Sequence, residues 1–170
     1  MNATGVKIEG LVAIVTGAGS GIGAACATAL AARGCRVVVN YQHSREGASD
    51  TVAQCQALGV AAVSVQGSVT DNEDCQKILD EAMSAFGRLD LLVNNAGVTR
   101  FAHQKDLAAL NAADFEHILS VNVTGSYQMT RAAVPDLEKS DCAAVVNVSS
   151  HSGVSGIGSS MAYAASKGAL

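Results

Sequence analysis

The chain has 170 residues, 49% of them hydrophobic and 15% charged, with 17 glycines, no tryptophan and a formal net charge of −4. That length builds one domain with a sizeable core, but not two ordinary ones. The mildly acidic balance, without any Lys/Arg cluster, argues against nucleic acid and anionic membrane surfaces as partners, and no apolar run approaches the roughly 18 residues of a membrane helix.

The opening Met1-Asn-Ala-Thr-Gly-Val-Lys-Ile-Glu9 lacks the basic and apolar regions of a secretion signal. Leu11 to Thr16 is a short apolar run suited to a strand buried on both faces. A glycine loop follows over Gly17 to Gly23, then a helix from Ala24 to Arg33 stopped by Gly34. Arg36 to Asn40 is a β-branched second strand, and Arg45 to Leu58 a helix stopped by Gly59. Val60 to Val65 is a third strand, and Asp71 is placed to cap a helix reaching Phe86. Leu89 to Val93 is a fourth strand, ending in Asn94-Asn-Ala-Gly97. Asn111 and Asp114 read as a capping box opening one long helix towards Pro135. Ala143 to Val148 is a fifth strand, and a Gly/Ser-rich loop from Ser149 to Ser160 leads into a final helix carrying Tyr163. Alternating strands and helices predict an α/β fold, a doubly wound parallel sheet of the Rossmann type, as a single domain over residues 1–170.

Five cysteines, odd in number and without a CxxC pair, predict reduced, packed thiols in a cytoplasmic protein. Four scattered histidines give no metal site.

Thr16-Gly-Ala-Gly-Ser-Gly-Ile-Gly23 joins the first strand to the first helix, and Gly19, Gly21 and Ala24 also fit the G-x-G-x-x-G/A spacing. Small residues there let backbone N–H groups approach a pyrophosphate, which the helix N-terminus then stabilises. Thr16, Gly17, Gly19, Ser20, Gly21, Ile22 and Gly23 are therefore candidate dinucleotide contacts. No Gly-Lys-Ser/Thr follows, which excludes an NTPase phosphate loop. An acid at the end of the second strand would hold the ribose 2′-OH and repel a 2′-phosphate. This chain has Asn40-Tyr-Gln-His-Ser-Arg45, with no acid before Glu46. Asn40, Ser44 and Arg45 thus favour NADP(H), with NAD(H) as the alternative.

Tyr163 and Lys167 stand four apart on a helix and share a face. An ammonium beside a phenol stabilises the phenolate. Phe115, Ile118, Leu119 and Asn122 place an amide on an apolar helical stripe, where it needs hydrogen-bond partners. No G-x-S-x-G elbow marks a serine hydrolase, and His151, adjacent to Ser150, is badly placed as its base.

The glycine loop, Asn94-Asn-Ala-Gly97, Asn122, Ser150 and Tyr163-x-x-x-Lys167, in that order, resemble the short-chain dehydrogenase/reductase family over essentially the whole chain. Within it, Asn94-Asn-Ala-Gly-Val-Thr-Arg100 and Val37-Val-Val-Asn-Tyr41 look most like bacterial 3-oxoacyl-[acyl-carrier-protein] reductases. The resemblance implies hydride transfer between NADP(H) and a carbonyl or secondary alcohol, with Tyr163 as acid or base and Lys167 tuning it and holding the nicotinamide ribose. It implies that Ser150 hydrogen-bonds the substrate oxygen and that Asn122 continues a proton path through water. Asn95, Ala96, Gly97, Ser68 and Val69 fall beside the cofactor, although many members carry an acid where this chain has Ser68. It implies a small-molecule or acyl-carrier-protein-bound substrate and a homo-oligomer, dimer or tetramer. An NAD-dependent alcohol or sugar dehydrogenase is the alternative. The family continues beyond Lys167, so the resemblance also implies a C-terminally truncated chain, and a further alternative is a fragment that is inert or at most binds nucleotide.

Overall fold

The computed structural model describes residues 7–170; the leader reading of the first residues falls largely on 1–6 and lies outside them. Five parallel strands form one sheet in the order β3-β2-β1-β4-β5. They are β1 (Val12–Val15), β2 (Arg36–Tyr41), β3 (Ala62–Gln66), β4 (Leu91–Asn94) and β5 (Ala144–Asn147). Crossover helices α1 (Gly21–Ala31), α2 (Arg45–Ala57) and α3 (Asn72–Phe86) alternate with the first four strands. After β4 come α4 (Ala112–Leu119), a π-helical turn (Ser120–Gly125) and α5 (Ser126–Leu137). The short α6 (Ser152–Ser155) and α7 (Met161–Ala169) follow β5. This is the doubly wound sheet expected from the alternation.

Strand pleating sorts the apolar runs into two cores. Ile14, Val38 and Leu92 pack with Ile78, Leu79 and Met129 on the α3/α5 side. Val15, Val37, Val39 and Val93 pack with Ala27, Ala31 and Ala48 on the α1/α2 side. The alanines let α1 and α2 lie close to the sheet. All four residues of β1 are buried, as expected of a strand paired on both sides.

Local chemistry sets several boundaries as expected. Asp71 accepts from the Glu73 and Asp74 N–H groups at 2.8 and 3.0 Å and opens α3. Asn111 and Asp114 form the reciprocal capping box of α4. Two expectations change. The single helix from Asn111 is broken by the π turn and then runs two residues past Pro135. The ring only removes the bond to the Arg131 carbonyl, near the end where few turns remain to be disturbed. Part of the Gly/Ser loop is α6. The expected fifth strand is an edge strand of this sheet, exposed along all four residues.

Candidate active site

The carboxyl ends of the parallel strands face a cleft of about 420 Å³ bounded by the glycine loop, the end of β2 and the segment after β4. In a doubly wound sheet this is where ligands bind. Gly19, Ser20, Gly21 and Ile22 line it. The first amides of α1 have no intrahelical acceptor and carry the positive end of its dipole. Gly17 adopts φ +63°, and a Cβ there would lie 2.8 Å from Ala96 Cα. A Cβ on Gly23 would strike the Gly17 carbonyl and the Asn95 amide. Only glycine lets loop, helix and β4 segment meet.

Thr16 and Asn40 hold this cradle from behind. The Thr16 hydroxyl donates to the Val93 carbonyl at 3.3 Å and accepts from the Asn95 and Ala96 N–H groups, both at 3.0 Å. Asn40 Oδ1 accepts from Gly17 N–H at 3.2 Å, and its amide donates to the Val65 and Gly67 carbonyls. Asn95 Nδ2 donates to the Thr16 and Gly17 carbonyls at 2.9 and 3.2 Å. Thr16 is 1% exposed with its hydroxyl fully engaged, so it shapes the loop from within.

At the end of β2, Tyr41, Gln42, His43 and Ser44 line the cleft beside Asn40, and its lining contains no acid. Arg45 is placed instead as the first residue of α2, outside that lining. Ser44 Oγ reaches the Gly19 carbonyl at 3.4 Å and joins α2 to the glycine loop. Ser68 also lies off the cleft: its hydroxyl pairs with Thr70 Oγ1 at 2.8 Å while Gly67 and Val69 form the wall. Sequence reasoning missed Tyr41, Gln42, His43, Gly67, Val98 and Val121. Tyr41 to His43 carried a signal, since they continue the strand whose end defines the site.

A second cleft of about 340 Å³ adjoins the first through Ile22, Asn95, Gly97 and Val98 and is closed by Tyr163 and Lys167. Ser160 caps α7 by accepting from Tyr163 N–H at 3.3 Å. One turn on, Lys167 Nζ lies 5.9 Å from the Tyr163 ring centroid and donates to the Val148 carbonyl at 2.6 Å. Lys167 is 6% exposed, and burial pushes its ammonium below the ordinary 10.5. A Cβ on Gly97 would lie 3.3 Å from Asn122 Oδ1 and 3.6 Å from Lys167 Nζ, so the Asn-Asn-Ala-Gly segment touches both.

Asn122 sits in the π turn, fully buried. Its Oδ1 accepts from Val98 N–H at 2.8 Å, and Nδ2 donates to the Val98 carbonyl at 3.0 Å and Ser166 Oγ at 2.9 Å. Ser166 in turn donates to the Tyr163 carbonyl at 2.7 Å. The Asn122 side chain thereby clamps the β4 segment to α7, and its amide protons are both used by protein acceptors.

Of the two serines after β5, Ser149 lines the second cleft, whereas Ser150, expected to hold the substrate oxygen, lies outside that lining. Ser149 donates to the Lys167 carbonyl at 2.7 Å. Ser150 Oγ accepts from Ser152 N–H at 3.2 Å. The strand ends at Asn147, so the pleat no longer governs residues 149 and 150. Thr99, Ser152 and Ser159 complete the polar wall of this cleft and had no motif to reveal them.

A glycine-loop cleft at the carboxyl edge of a doubly wound sheet, continuous with a cleft lined by Tyr163 and Lys167, places the chain among Rossmann-type proteins. Comparison narrows it: the short chain dehydrogenase family model matches residues 11–170, and the chain belongs to that family. It is 39% identical over 164 residues to versicolorin reductase 1 of Aspergillus parasiticus, covering 96% of this chain and 61% of that protein. It is 45% identical over 160 residues to the ketoacyl reductase assigned to the granaticin polyketide synthase of Streptomyces violaceoruber, covering 94% and 63% respectively. The structure superposes on NAD+-bound xylitol dehydrogenase with a TM-score of 0.88 at 33% identity, over 96% of this chain and 62% of that one. The chain thus spans about three fifths of these relatives' length.

Proposed function

We propose that this chain carries the cofactor cradle and the proton-transfer residues of an NADP(H)-dependent carbonyl reductase, acting on a 3-oxoacyl group borne by acyl-carrier protein or a small molecule. The observation that carries the reading is the shared wall of Ile22, Asn95, Gly97 and Val98, which joins the glycine-loop cleft to the one holding Tyr163 and Lys167. The residues present fit the cofactor: glycines leave the loop floor open, and the cleft at β2 holds no acid against a 2′-phosphate. When bound, the nicotinamide supplies the hydride.

The protein's part is geometry and a proton. Tyr163 donates from its phenol to the oxygen where charge develops. The buried Lys167 ammonium stabilises the phenolate left behind. The family resemblance gives Ser150, just outside the cleft lining, the substrate oxygen, and Asn122 keeps α7 registered against the β4 segment. The ketoacyl reductase resemblance supports a 3-oxoacyl substrate, and both curated relatives described above are reductases by name. The likeness to NAD+-bound xylitol dehydrogenase favours a second reading, an NAD-dependent polyol dehydrogenase. Exposed Tyr127 and Val134 on α5 support association of two copies through that helix.

The test is NADPH oxidation by the full-length protein with acetoacetyl-N-acetylcysteamine. Tyr163→Phe should lower kcat by about 10²–10⁴, the usual worth of general acid catalysis, while NADPH affinity stays within a factor of about two. Full activity in that variant would refute the assignment. The 170-residue chain, titrated alone with NADPH, reports whether the cradle binds without turnover.

A further inference from the structure

The cleft beside Tyr163 contains a hydroxyl that the reaction above leaves unused. Ser152 opens α6, is 8% exposed, and lines the same cleft as Tyr163 and Lys167. The other hydroxyls there are engaged: Ser149 donates to the Lys167 carbonyl, and Thr99 and Ser159 bond each other at 2.5 Å. Ser152 Oγ makes no hydrogen bond among the described residues. Gly158, at φ +139°, lies against it, and a Cβ there would collide with the Ser152 oxygen. Glycine alone leaves this hydroxyl its place.

The Ser152 hydroxyl faces the cleft with water as its partner, so a ligand that returns that hydrogen bond is favoured over one that does not. On the proposed reading Tyr163 and Ser150 take the two lone pairs of the carbonyl being reduced, which leaves Ser152 for a different oxygen. Ser152 N–H, by donating to Ser150 Oγ, leaves the Ser150 proton free for that duty and sets the two hydroxyls two residues apart.

Resting on the carbonyl-reductase reading, we propose that Ser152 binds a second substrate oxygen carried near the reacting carbonyl, making the protein selective for β-keto esters and thioesters over simple ketones. A simple ketone displaces water from Ser152 and returns no hydrogen bond, and that loss is the source of discrimination.

The test compares ethyl acetoacetate with 2-heptanone, chains of equal length of which only the first carries a further oxygen near the ketone. With NADPH, the full-length protein should favour ethyl acetoacetate in kcat/KM. Ser152→Ala should cut that preference roughly tenfold, the scale of one hydrogen bond, with thermal unfolding and NADPH affinity preserved. The same pair is titrated onto the NADPH complex of Tyr163→Phe, with and without Ser152→Ala, by ligand-observed NMR. Loss of the binding preference in the double variant supports the role of Ser152 even where neither ketone is reduced, a result that would sink the reductase reading alone. An undiminished preference in the Ser152→Ala proteins, or none at the outset, overturns it.

Discussion

Lys167 keeps an ammonium 6% exposed with one protein acceptor, the Val148 carbonyl, among the described residues. Burial lowers its proton affinity, so between its lowered value and the ordinary 10.5 the unfolded chain binds more protons than the folded one. Stability therefore rises with pH across that window, and the destabilisation is fully present below it. Lys167→Met keeps most of the stem and removes the charge. It should abolish turnover, leave the melting temperature at pH 7 equal or higher, and remove the rise in melting temperature seen as pH approaches 10.5. A melting temperature that drops by several degrees at pH 7 would show the ammonium to be stabilising. The end of β2 is a second residue-scale test. Ser44→Asp places an acid in the cleft and should shift the NADPH/NADH preference towards NADH by at least about tenfold, which ~1.4 kcal/mol of repulsion produces. Unchanged dissociation constants for both cofactors would detach Ser44 from the choice.

Asp90 shows how elements are held at the opposite end of the sheet. It is fully buried just before β4 and accepts from Val12 N–H at 2.8 Å, from Arg88 at 2.6 and 2.9 Å, and from Ser140 Oγ at 2.5 Å. Burial pushes its carboxyl up, but the bonds from Arg88, Ser140 and Val12 outweigh it and hold it below 3.8. The stability it confers is present above the unfolded value and is lost as pH falls through the lowered one. Asp90→Ala leaves the Val12 N–H and Ser140 hydroxyl without this acceptor and should cost about 2–4 kcal/mol in urea unfolding; a loss below about 1 kcal/mol would show the network to be dispensable. Such helix caps and strand cores were legible because each rests on local chemistry, as at Asp71 and Asn111. The π turn around Asn122 was not. An apolar stripe of period near four reads as unbroken helix whether or not one turn is widened, and only contact with Val98 and Ser166 distinguishes them. Likewise, Ser150 and Tyr163 carried motif spacing, but Ser149 and Ser152 enter the cleft through a chain reversal after β5 that no spacing encodes. Gly153 permits that reversal: a Cβ there would lie 2.5 Å from the Lys167 carbonyl carbon. Gly153→Ala should separate α6 from α7 and lower kcat more than NADPH affinity, measured side by side; equal losses would mean the damage spreads to the cradle.

Across the whole molecule, the sheet has its best-buried strand at the centre and its least-buried one at the β5 edge. The order β3-β2-β1-β4-β5 places the glycine loop and the β4 segment next to each other, which is why two motifs nearly 80 residues apart build one cradle. The same order puts β5 outside β4, with Val145 39% and Val146 52% exposed. From sequence, Ala143 to Val148 reads simply as a fifth strand; only the pairing order reveals the edge. An apolar edge strand offers unpaired N–H and C=O groups to another chain, and a lysine on it discourages such pairing. The 170-residue chain should therefore self-associate with rising concentration in sedimentation velocity. Val146→Lys should move that onset to higher concentration while changing unfolding stability by no more than about 0.5 kcal/mol, as expected at an exposed site. If the variant associates as readily as the parent, the β5 edge is not the contact, and the exposed face of α5 at Tyr127 and Val134 becomes the surface to mutate next.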